Sequence, residues 1–154
     1  LFAHCDLCIT TGSGPDMVSD VYRRPLLLVN YLMLRNLWSW SNALHAPKHL
    51  VWKDSDRRLT WKEHLVHSYF STAQYVDAGI EVHDLTQEEI LHVTQECWMR
   101  LLRRWRDEAS DIDAQQRFWE ILRAYPDYSK FHGWVHPESR VSSAFLRVNP
   151  GWLQ

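Results

Sequence analysis

The stretch CDLCITTGSGPDMVSDVYRRPLLLVN, running from Cys5 to Asn30, decides the fold. Asp6–Thr11 is short, apolar and β-prone and stops at Gly12-Ser13-Gly14-Pro15, as a buried strand entering a tight turn does. Pro15 suits the first turn of a helix, where its missing N–H costs nothing. Asp16–Arg23 is therefore expected as a short helix with Met17, Val18 and Val21 turned inward. Arg24-Pro25 breaks that helix. Leu26-Leu27-Leu28-Val29 lacks polar alternation and reads as a second strand, buried on both faces. A strand–helix–strand unit crosses over right-handed into a parallel sheet, so both strands end on one edge and Gly12–Gly14 lies beside Asn30 and Tyr31.

Outward from this unit, a third strand is expected at His49–Lys53, after a Trp-rich connection through Trp38 and Trp40 whose path the sequence leaves open. The chain then turns helical. Thr60-Trp61-Lys62-Glu63 and Thr86-Gln87-Glu88-Glu89 both fit the capping box. The second start opens a helix from Gln87 to Arg106, because Ile90, Val93, Cys97, Trp98, Leu101, Leu102 and Trp105 recur at helical spacing. A further helix is expected over Ala114–Ala124, stopped by Tyr125-Pro126. One or two helical turns are expected within Ser139–Val148, ended by Asn149-Pro150-Gly151. The fold class is α/β, a small parallel sheet followed by several helices. No internal repeat or low-complexity linker interrupts it.

The 154 residues suit a single domain, residues 1–154. With 45% hydrophobic and 23% charged residues the chain has the composition of a globular protein, which argues against disorder. The 17 Lys and Arg against 19 Asp and Glu leave no basic stripe to track a phosphate backbone, and Arg103, Arg104 and Arg106 read as a solvated helix face, so no nucleic-acid partner is expected. The longest apolar run, Pro25 to Leu34, is interrupted by Asn30 and falls far short of the ~20 residues of a membrane helix. Leu1 falls in an apparent helix-to-strand junction, so the chain is expected to be a piece of a longer protein. Three cysteines, Cys5, Cys8 and Cys97, form no disulfide framework and agree with a reducing compartment.

Chemistry is most legible at Thr10-Thr11-Gly12-Ser13-Gly14-Pro15-Asp16. A small-residue turn between a strand and a helix N-terminus lets backbone N–H groups approach an anion, and the Thr11 and Ser13 hydroxyls add donors. The turn is neither a Walker A motif nor the full dinucleotide fingerprint, and a purely structural turn reads equally well from it. Asp16 would repel a phosphate, so its side chain is expected to point away from the turn. Asn30 and Tyr31 stand where open α/β sheets bind ligands, outside the strand ends.

The run Cys5–Gly14 followed by Arg24-Pro25-Leu26-Leu27-Leu28-Val29-Asn30-Tyr31 resembles a bacterial glycosyltransferase-like family associated with surface polysaccharides. Three later stretches agree with it in order: Arg58–Glu63, Leu85–Ile90, and Arg140–Leu153. The resemblance covers nearly the whole chain. It implies the C-terminal, Rossmann-like half of a GT-B glycosyltransferase, a nucleotide-sugar-binding domain cut from a two-domain protein and inactive alone. The donor diphosphate would rest on Thr11, Gly12, Ser13 and Gly14, with Asn30, Tyr31 and Arg140 completing the site. The glycan acceptor and the catalytic base would come from the missing N-terminal domain, no cofactor is implied, and nucleotide sugars together with the lack of a signal peptide point to the cytoplasm. The rival readings are a non-catalytic nucleotide- or glycan-binding module and a helix-rich interaction domain.

Other features are set aside. Cys5-Asp6-Leu7-Cys8 has zinc-like spacing without a second ligand pair, and His45/His49 and His64/His67 lack the Glu of a metalloprotease helix, so no metal is expected. Nine tryptophans suit core packing, with Trp98, Trp105 and Trp119 at helical positions fit for burial and Trp38, Trp40 and Trp134 in irregular segments.

Overall fold

The computed structural model describes residues 1–154. Its strands are β1 (Cys8–Thr10), β2 (Leu26–Tyr31), β3 (Ala43–Pro47), β4 (His49–Trp52), β5 (Arg57–Arg58), β6 (Ile80–His83) and β7 (Arg140–Val141). Its helices are α1 (Asp16–Val21), α2 (Trp61–Val66), α3 (Thr72–Asp77), α4 (Gln87–Leu101), α5 (Ala109–Arg123), α6 (Tyr128–Phe131) and α7 (Ser143–Val148). The fold is α/β. A parallel sheet in the order β1-β2-β3-β7 carries the larger core, and a small antiparallel sheet, β5-β4-β6, adjoins it.

The strand–helix–strand order of β1, α1 and β2 follows the sequence pattern, but β1 is a three-residue edge strand with only Cys8 buried, and β2 runs on through Asn30 and Tyr31. Leu26, Leu27 and Leu28 are sealed on both faces, as a central parallel strand must be. Thr60 and Thr86 each accept a bond from the N–H three residues on while Glu63 and Glu89 reach back, closing both capping boxes. Each such cap is worth about 1 kcal/mol. The centre of the core is Trp61, fully buried and stacked on Phe118 (centroids 5.0 Å apart) and on Trp152 (5.2 Å). Its indole N–H donates to the Phe118 carbonyl (3.2 Å) and its own backbone N–H to the Trp152 carbonyl (2.6 Å), tying α2, α5 and the tail together. A second cluster, Leu50, Leu59, Tyr75 and Ile80, fills the space behind the antiparallel sheet.

Several expectations are corrected. The third strand of the parallel sheet is β3, Ala43–Pro47, and the His49–Lys53 segment is a strand of the other sheet. Lys48 separates the two, and a strand this short carries no period by which a reader could split it from the next. Neither α3 nor β6 was foreseen, nor was β7, whose two residues depend on β3 for their register. Helix α4 stops at Leu101 rather than Arg106, because Arg103 adopts a left-handed conformation (φ +56°) and the N–H of Arg104 turns back to the Met99 carbonyl (2.8 Å). Trp98, within α4, is not core either. The buried face of α4 is Val93, Glu96 and Cys97, and the next residue is rotated about 100° away from it, leaving Trp98 48% exposed.

Helix α1 is also turned the other way. Asp16 and Ser19 face inward, and Met17, Val18 and Val21 are exposed. The Ser19 hydroxyl donates to the Phe2 carbonyl (3.1 Å) and lies 3.7 Å from the Cys5 sulfur, so a polar seam joins α1 to the preceding segment. The outer edge of β1 is unpaired, and Ile9 on it is half exposed.

Candidate functional site

The glycine turn stands at the carboxyl end of β1, next to the carboxyl end of β2. Gly12 and Gly14 both have positive φ (+81° and +107°), a region that suits glycine. A Cβ on Gly12 would lie 2.9 Å from Cε2 of Tyr31, whereas one on Gly14 would meet nothing within 4 Å. Gly12→Ala is therefore expected to destabilise the protein by about 2–3 kcal/mol and Gly14→Ala by about 1–2, since both bear backbone strain but only the first displaces a ring. Urea unfolding of the two variants checks this, and equal losses would dispose of the role given to Tyr31.

Asp16 does not point away. Its side chain is buried, and Oδ1 accepts the Gly14 N–H (2.6 Å) while Oδ2 has no partner. A carboxylate two residues along the chain reaches the turn's own donor before any external anion can. The Gly12 N–H is likewise held by the Thr10 hydroxyl (3.1 Å). The N–H of Ser13 has no acceptor within the chain, and Thr11 and Ser13 are exposed.

Asn30 and Tyr31 reach the same edge but are largely occupied. Asn30, with φ +53°, accepts the Leu85 N–H at Oδ1 (2.7 Å), which fixes the approach to α4 at this edge. Tyr31 packs between Gly12 and His45, and its hydroxyl donates to the Asn36 carbonyl (3.4 Å). Burial pushes its pKa up to about 12, which suits packing and hydrogen bonding better than proton transfer.

Arg140 is not part of this group. Helix α4 starts at the carboxyl edge and ends at the amino edge, where Leu101 lines a cavity of about 390 Å³ with Pro25, Leu26, Asn42 and Arg140. There Arg140 forms a two-pronged pair with Asp107 (3.0 and 3.2 Å), which also holds Arg100 (2.5 Å). Burial opposes the charge on Asp107, but the Arg100 hydrogen bonds and the Arg140 charge prevail and hold its carboxyl well below the usual range. Placing Arg140 beside the glycine turn from sequence fails because a two-residue strand gives no sign of which sheet edge its side chain serves.

The polar centre that sequence reading missed is Glu96. It is completely buried and accepts the Ser142 hydroxyl (2.6 Å), the N–H groups of Ser143 (3.1 Å) and Ala144 (2.7 Å), and Nε of Arg100 (2.8 Å). The available signal was a Glu three residues after Val93 and next to Cys97, inside an apolar stripe, with Arg100 one turn on.

Two further histidines are neutral structural groups. His45 donates from Nδ1 to the Arg140 carbonyl (3.1 Å) and accepts the Trp38 N–H at Nε2 (3.2 Å), and burial lowers its pKa to about 4. Burial lowers that of His64 to about 3. Both folded values lie below the ordinary 6.5, so between those values and 6.5 the unfolded chain binds the extra protons. Stability is therefore full above that range and falls on acidification through it, by up to about 1.4 kcal/mol per pH unit for each imidazole. The urea midpoint should drop between pH 7 and pH 5.5 and drop less in His45→Gln; an unchanged midpoint would refute the burial argument.

No helix of the chain is long and apolar enough to cross a membrane. Compared with family models, with curated proteins and with solved structures, the chain finds no match in any of the three.

Proposed function

We propose that this chain is the Rossmann-like, nucleotide-sugar-binding half of a GT-B glycosyltransferase, with the donor diphosphate over the Thr11–Gly14 turn. The observation that carries the reading is the pair of parallel strands β1 and β2 ending side by side, the first running directly into two left-handed glycines. Ligands of open α/β sheets collect outside such strand ends. The four-part resemblance gives that edge its chemistry. The unpaired edge of β1, with Ile9 half exposed on it, suits continuation into a larger sheet.

In the transfer, an acceptor hydroxyl oxygen bonds to the anomeric carbon as the bond from that carbon to the diphosphate breaks. The acceptor's proton passes to a base on the other half of the enzyme, and negative charge collects on the departing diphosphate. The help this half can supply is the Ser13 N–H, a donor fixed by the turn's backbone, with the exposed Thr11 and Ser13 hydroxyls free to rotate onto the diphosphate. Each preorganised donor of this kind is worth on the order of 3 kcal/mol where it has been measured in acyl transfer. Asn30 and Tyr31 act as positioning residues, and Arg140 takes no part. Asp16 favours a competing reading in which the turn is only structural, since its carboxylate already occupies the Gly14 N–H.

Thermal unfolding with UDP, GDP, ADP and CMP and their sugars separates the two. One nucleotide class should raise the melting temperature, the stabilisation reaching about 2.7 kcal/mol at a hundred times its Kd. Ser13→Asp, an exposed change that sets a carboxylate against the diphosphate without straining a glycine, should abolish the rise. A rise that survives Ser13→Asp, or none with any nucleotide, would leave the structural turn as the answer.

A further inference from the structure

We propose that the cavity between the β4–β5 hairpin and the Asn149–Trp152 turn binds the oxyanionic group, phosphoryl or carboxylate, of a small molecule. The cavity holds about 360 Å³, within the range of small-molecule sites. Two guanidinium and two imidazole side chains line it, Arg57, Arg58, His49 and His64, and no Asp or Glu does. Arg57 is paired with Glu63 (2.7 Å) and His49 with Glu89 (2.8 Å). Arg58, exposed at the cavity mouth, has no carboxylate partner and donates only to the neutral side chain of Asn149, which leaves its other guanidinium donors open to an entering anion.

A second, independent feature points to the same space. Trp152 and His64, 6% and 5% exposed, both line the cavity with their rings 5.5 Å apart and edge to face. Trp152 Nε1 and His64 Nδ1 are buried and have no hydrogen-bond partner. An indole N–H can only donate, and a neutral imidazole can donate from Nδ1 in one tautomer. A buried donor left unpaired costs about 1–3 kcal/mol, and since both nitrogens are closed off from the cavity, an oxyanion beside Arg58 removes that cost as either ring turns toward it. The cavity greatly exceeds the size of an inorganic ion, so the anion belongs to a larger molecule whose remainder lies against Leu59 and Pro150. This inference concerns a different face from the glycine turn and stands or falls without it.

The test is calorimetric titration of the whole chain with sodium phosphate and, separately, sodium acetate, against sodium chloride at matched ionic strength, with ¹H–¹⁵N spectra of the indole N–H groups. Saturable binding of at least one anion is expected, with a downfield shift of one indole signal that is absent in Trp152→Phe. Affinity should fall roughly ten-fold or more in Arg58→Met, as for loss of a charge-assisted hydrogen bond. Preference for phosphate assigns a phosphoryl group, and preference for acetate a carboxylate. Trp152→Phe keeps a ring in the core, so it decides the matter by itself if Arg58→Met does not fold. No saturable binding of either anion, or affinity unchanged in the folded variants, would overturn the proposal.

Discussion

Glu96→Ala should lower the unfolding free energy by about 3–5 kcal/mol, a large part of the roughly 5–15 kcal/mol available to a domain. Glu96 joins α4 to the start of α7, and its carboxylate satisfies two backbone N–H groups, the Ser142 hydroxyl and Arg100. Removing it leaves the donors of a buried helix start without acceptors. It also strands Arg100, whose remaining carboxylate partner, Asp107, is shared with Arg140. Glu96→Gln keeps the shape and one acceptor oxygen but presents an NH₂ group to a donor. It should cost less, about 1.5–3 kcal/mol. Urea unfolding of both variants supplies the test. A loss under about 1 kcal/mol for the alanine variant would show that water enters and replaces the carboxylate.

Trp61→Ala is the second large effect, about 3–5 kcal/mol, as for other large aromatic truncations in a closed core. Trp61 is sandwiched by Phe118 and Trp152, and its two N–H donors hold carbonyls on α5 and the tail. Its removal opens a cavity and takes from the Phe118 carbonyl the indole donor that ties α2 to α5. Near-ultraviolet circular dichroism should lose most of the coupled aromatic signal along with the stability. Trp61→Phe preserves the stack and should lose only about 1–2 kcal/mol, chiefly the indole hydrogen bond. If the alanine variant unfolds at the wild-type urea concentration, the tail is not anchored by this stack.

Much of the fold was open to reading because it rests on local rules. The Gly12–Gly14 turn, the Pro25 break and the all-apolar Leu26–Val29 run imply a parallel β1–α1–β2 unit, and the Thr60 and Thr86 boxes mark where α2 and α4 begin. The meeting of Gly12 with Tyr31 at one edge follows from that topology. What was not readable involves partners distant in sequence. The division between β3 and β4 depends on β2 on one side and β6 on the other. The orientation of α1 depends on a bond from Ser19 to Phe2, and an apolar triplet misled because the helix is too short for its period to be unambiguous.

The candidate site divides in the same way. Thr11, Gly12, Ser13 and Gly14 follow the end of β1 and Asn30 and Tyr31 close β2 beside them, so these six could be placed together, whereas Arg140 and Asp16 went astray. Arg140 has a long side chain drawn to the amino edge by Asp107, a partner 33 residues away, whereas Asp16 curls back onto the Gly14 N–H, a local contact that the residue types of the turn do not disclose. The sequence by itself determined the class of the fold, the parallel pair of strands, the helix starts and the position of the glycine turn, because propensity, capping and turn geometry act over a few residues. Only the tertiary structure decided which carboxylate is buried, which arginine is left without a carboxylate partner and which indole lacks an acceptor, because those depend on groups distant in sequence being brought together, as Glu96 and Ala144 are across 48 residues.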